Sequence, residues 1–177
     1  MNHLFVALDA QGYQQVKPIA DKYLETHKLG MDKTFNRLPP GIDVNPHEII
    51  KQEQELEADV WEKALEVAKN SKNFSDFDWE VTAYDDLKHA IRKVSPKADA
   101  LLHELGELLI TADKIKELYP QWIALLDSLN IEEVIKTKAE FTDRIPMSSY
   151  LSVLKKQKDM LRYCVYYSYA LLNMVLE

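Results

Sequence analysis

The clearest run of helical spacing in this chain lies between residues 46 and 70. Apolar side chains recur at Ile49, Leu56, Val60, Ala64 and Val67, all on one side of a helix, with Trp61 at its edge. Asn45-Pro46-His47-Glu48 reads as the start: Asn caps, Pro suits the first helical position, and Glu48 completes a capping box. Similar spacing predicts a helix over 18–27, with Ile19 and Tyr23 inward and Gly30 as its terminator. Further helices are expected over 82–94, 96–110, 113–119, 120–129 and 130–141, each opened by a capping residue, a charged first turn or a proline. Between the first two helices, residues 31–45 hold Pro39-Pro40-Gly41 and make a connection longer than the usual ~4–6 residues. Residues 70–78 read as a turn pinned by Phe74 and Phe77.

Pro146 opens the longest predicted element, a helix over 146–176. Met147, Leu151, Leu154, Leu161, Val165, Leu172 and Val175 follow a four-three spacing, and its second half is apolar nearly all round, as in the buried centre of a bundle. Residues 3–8 are apolar and short. With no partner strand in view, helix or extended packing is the favoured reading, because an unpaired strand leaves its backbone unsatisfied. The expected fold is therefore all-α: a single domain over 1–177, about seven helices round a long, mostly buried C-terminal helix.

Composition agrees with helices. Only four glycines occur in 177 residues, too few for a turn-rich sheet protein or a phosphate-cradling loop. The net charge of −7 argues against nucleic acid as a partner, since phosphate binding needs clustered Lys and Arg. The longest apolar stretch, 161–176, is interrupted by Arg162 and Asn173 and falls short of the ~20 residues of a membrane span. The first nine residues have no basic leader, so a cytoplasmic protein is expected.

Charge is also where the chemistry starts. Glu48, Glu55, Asp59, Glu62 and Glu66 fall within roughly 60° of arc on helix 46–70. Like charges three and four residues apart repel, so the band favours a partner that brings positive charge. The plainer reading is a solvated face neutralised locally, with Lys51 reaching Glu55, Lys63 reaching Asp59 and Lys69 reaching Glu66. One-sidedness favours the first: residues 51–62 hold five acids and one base.

Other candidates carry less. Tyr163, Tyr166, Tyr167 and Tyr169 suit either a core helix or a self-association face. Asp86, His89, Asp99, His103 and Glu107 could serve a metal-binding or hydrolytic bundle, yet no Glu-x-x-His pair and no His-Glu-x-x-His occurs. Cys164 sits among apolar neighbours that quiet a thiol, and Ser148 and Ser149 are better read as local backbone partners at a helix start. No cofactor motif is present. The expectation is a non-enzymatic protein-binding protein, most concretely a small acidic cytoplasmic inhibitor or immunity protein. It would neutralise a basic partner such as a nuclease toxin through Glu48, Glu55, Asp59, Glu62, Glu66 and Trp61. The alternatives are the bundle enzyme and a structural oligomerisation module.

Overall fold

The computed structural model describes residues 2–70, 75–76 and 81–176. The protein is the mostly helical, all-α bundle that the spacing predicts, with seven α-helices among the described residues and a small sheet added. It divides into two compact units, residues 1–9 with 74–177, and residues 10–73.

The unit 10–73 is a pair of helices, α1 (Ala10–Thr34) and α2 (Pro46–Asn70). His27 meets Glu53 and Gly30 approaches Ile49, so the two run antiparallel. α2 has the bounds read from sequence. Asn45 Oδ1 accepts from the His47 N–H at 3.0 Å, and Ile49, Leu56, Val60, Ala64 and Val67 are buried. α1 differs. It starts eight residues before 18, holds Pro18 inside, and passes through Gly30, so Gly30 is not its terminator. Asn36 terminates it instead, at φ 53°, with Arg37 N–H donating to Asp32 O and Asn36 N–H to Lys33 O. Gly30 instead marks a close approach of the two helices: a Cβ there would lie 3.2 Å from Ile49 Cγ2.

The larger unit is built round a sheet of order β2-β1-β4-β3, with β1 (Asn2–Leu8), β2 (Ser75–Asp76), β3 (Leu109–Ile110) and β4 (Ala170–Leu176) all antiparallel to their neighbours. The expected helix over 146–176 is thus corrected. α7 spans Met147–Tyr167 and stops where Ser168 turns left-handed, at φ 55°, ψ 47°. The next residues form β4, paired along its length with β1 in the register Phe5↔Asn173. The favoured reading of residues 3–8, helix or extended packing without a partner strand, is corrected by the same observation. These are central strands: Phe5, Val6, Ala7 and Leu8 on β1, and Ala170, Leu171 and Leu172 on β4, are all buried. A strand covered on both faces shows a continuous apolar run, which periodicity cannot tell from a buried helix.

α3 (Val81–Val94), α5 (Ala112–Asp127), α6 (Ile131–Lys138) and α7 supply most of the rest of this core, whose largest fully buried members include Trp122, Tyr84, Tyr150 and Phe5. Three helices differ from expectation, one of them α6, which ends at Lys138, short of the expected 141. The helix expected over 96–110 is a 3-10 turn at 96–98 and a short α4 (Asp99–Glu104), ending so that β3 can pair with β4. The helices expected over 113–119 and 120–129 are one, with Pro120 inside α5. Burial of Ile115, Leu118, Trp122 and Leu126 along one face outweighs the lost backbone bond. Phe74 and Phe77 lie outside the described residues.

Candidate functional site

The helical period of α2 puts its buried stripe and its carboxylate band on different sides. Glu48, Glu55, Asp59, Glu62 and Glu66 are all exposed, and Trp61 is half-buried at the edge of the helix face. Local lysines neutralise part of the band. Lys51 Nζ lies 3.8 Å from Glu55 and Lys63 Nζ lies 2.6 Å from Glu66. Lys63 therefore goes to Glu66 and not to Asp59, since it reaches forward along the helix instead of back. Glu48, Asp59 and Glu62 have no ion partner among the described residues. A shallow depression of about 380 Å³ runs beside the band, lined by Glu48, Glu55, Asp59, Leu56, Gln52, Lys51 and, from α1, Lys22. Its chemistry is that of a wet anionic surface with two lysines at its margin, which can exchange those contacts for a partner's cations at little cost.

The residues of the bundle-enzyme reading do not converge. Among the described residues no three His, Cys, Asp or Glu side chains gather as a metal site requires. Asp86 is buried and fully engaged: Tyr150 Oη donates to it at 2.6 Å, Glu140 N–H at 2.8 Å and Phe141 N–H at 3.1 Å. Burial acts to raise the Asp86 carboxyl. The bond from Tyr150, the two backbone N–H groups and nearby His89 outweigh it and hold the carboxyl below its ordinary value. His89 reaches Glu140 at 3.1 Å, and Lys93 shares that carboxylate at 3.0 Å. Asp99 pairs with Arg92 at 2.7 Å. His103 and Glu107 are exposed, and Glu107 lies beyond the end of α4, so Asp99, His103 and Glu107 do not share one helical face. Cys164 is buried, and burial pushes its thiol up to about 12, far from a working nucleophile.

Two features are not legible from spacing. One is the clamp that Asp86 makes on residues 140–141. Only the buried position of an acid on α3 could hint at it. The other is the end of α7, where Tyr163, Tyr166, Tyr167 and Tyr169 pack ring against ring at centroid distances of 4.6 to 5.8 Å. Tyr166 and Tyr167 are exposed there, beside Arg162 and a hollow of about 360 Å³. No protein-family model matches the chain, nor does any curated protein or solved structure. No helix among the described residues is long and apolar enough to cross a membrane.

Proposed function

We propose that this is a non-enzymatic protein-binding protein, and most concretely a small acidic inhibitor of the immunity type that works in the cytoplasm on a basic partner such as a nuclease toxin. Enzymes that grip phosphate carry positive charge round their active sites. An inhibitor can present carboxylates where phosphates would bind, and capture such a surface fast. Glu48, Glu55, Asp59, Glu62 and Glu66 are assigned to that contact, with Trp61 as an anchor at its edge. The observation that carries the reading is the exposure of Glu48, Asp59 and Glu62 with no ion partner among the described residues.

The test uses the basic protein that the full chain captures from its own host's lysate, and capture of none counts against the reading. Stopped-flow capture should slow by roughly 10-fold or more for the double variant D59K/E62K, with a flatter salt dependence. An unchanged association rate defeats the assignment. A second reading, self-association, is favoured by exposed Tyr166 and Tyr167 at the end of α7. Light scattering separates the two: a strict monomer counts against the tyrosine face.

A further inference from the structure

α7 buries one side in the larger unit and turns the other to water. Met160, Leu161 and Cys164 are buried, whereas Lys155, Asp159, Arg162 and Tyr166 are exposed, the last at 79%. Their four-three-four spacing keeps these four within roughly 60° of arc on the helix. In chain order the face reads cation, anion, cation, aromatic. Lys155 Nζ reaches Asp159 Oδ2 at 2.7 Å, an exposed pair that contributes little and leaves Asp159 Oδ1 open. Arg162 has no ion partner among the described residues. Tyr166 is held edge-on to Tyr167, ring centroids 4.7 Å apart, and Tyr167 in turn packs on Tyr163 at 4.6 Å. The Tyr166 ring is therefore in place before any partner arrives.

Such a face suits neither a uniformly basic nor a uniformly acidic partner, but it is its own complement when read backwards. Asp159 and Arg162 lie symmetrically about the point between Met160 and Leu161, and so do Lys155 and Tyr166. Two copies of α7 meeting antiparallel at that point put each Asp159 opposite the second copy's Arg162, and each Lys155 opposite the second copy's Tyr166. The first is a carboxylate–guanidinium pair, with Asp159 Oδ1 free to accept; the second sets an ammonium group against an aromatic ring. A two-fold axis makes each contact twice. Sliding one copy by three residues sets Asp159 against Asp159 in one direction and Arg162 against Arg162 in the other, which disfavours the neighbouring registers. The four-three-four spacing is also the one by which paired helices interlock layer by layer. We infer that the exposed face of α7 docks on the same face of a second copy of this chain, antiparallel, about this two-fold. The inference rests on the self-association reading of the tyrosine face and adds which side chains meet. The paired stretch, residues 155–166, is about 16 Å long, so the contact is small and the dimer weak, with a dissociation constant of roughly 0.1 mM.

The test is sedimentation equilibrium of the full chain at concentrations up to about 1 mM, where a reversible dimer is expected. R162D and D159R each set like charges face to face and should weaken the dimer at least about tenfold. D159R/R162D restores opposite pairs and should recover it to within about threefold of the native chain. Y166A should weaken it by about threefold or more. D59K/E62K, on the acidic ridge, should leave it unchanged. A dimer that Y166A weakens but R162D does not, or a double variant no tighter than the single ones, overturns this pairing and leaves the tyrosine face standing. Loss of the dimer in D59K/E62K overturns it too, because α7 of one copy would then be seated on α2 of the other. A strict monomer at about 1 mM overturns the pairing and the tyrosine face together.

Discussion

On α3, the carboxylate of Asp86 is buried and met by three donors; on α2, those of Glu48, Asp59 and Glu62 stand in water with no ion partner among the described residues. The side-chain chemistry is the same in both places, and the surroundings reverse its use. Asp86 repays its loss of water with Tyr150 Oη and two backbone N–H groups, so it ties α3 to α7 and to the segment after α6. The α2 carboxylates make no comparable bonds and contribute little to stability, which leaves them available to another molecule's cations. A carboxylate committed to the fold and one available for recognition can therefore be told apart by counting donors within reach.

Several changes would break or sharpen that contrast. The largest effect is expected for Asp86→Ala, which strands the buried Tyr150 hydroxyl and two part-buried backbone N–H groups and should cost about 3 kcal/mol in urea unfolding. Acid should then expose the same site. Because the folded Asp86 carboxyl is held low, its contribution is present above the ordinary carboxylate range and is lost as pH falls through the lowered folded value. Unfolding measured from pH 7 downward should show a steeper loss for the native chain than for Asp86→Asn. Next comes Asn173→Ala in β4. Asn173 is buried, its side chain donates to Leu105 O at 3.1 Å, and removing it should cost about 1–2 kcal/mol by the same assay. The smallest effect on stability belongs to D59K/E62K, expected within about 0.5 kcal/mol of the native chain. A large loss there would erase the distinction between the two kinds of carboxylate.

Periodicity succeeds where one face of an element is wet. α2 is legible because Ile49, Leu56, Val60, Ala64 and Val67 alternate with charged residues at a single period, and because Asn45-Pro46 marks its start. It fails where both faces are dry. Residues 170–176 carry no polar face to set a period, and reading them as helix removes the long partner that residues 3–8 have among the described residues, so one misreading produces the other. Ser168 gives no warning, since a non-glycine residue in the left-handed region is uncommon. Pro120 and Gly30 mislead for another reason: both are weak local signals that packing overrides. The Asp86 clamp is out of reach because its backbone donors lie more than fifty residues away. The position of the acidic band can be read because burial of the other stripe fixes it; the close approach of α1 to α2 at Gly30 cannot, since it depends on how the pair packs.

The most direct measurement follows side-chain carboxyl carbon resonances while oligolysine is added at low salt. Glu48, Asp59 and Glu62 should shift together and return when salt is raised to about 0.5 M, while Asp86 stays still. Ridge resonances that ignore oligolysine, or an Asp86 signal that moves with them, would contradict the account.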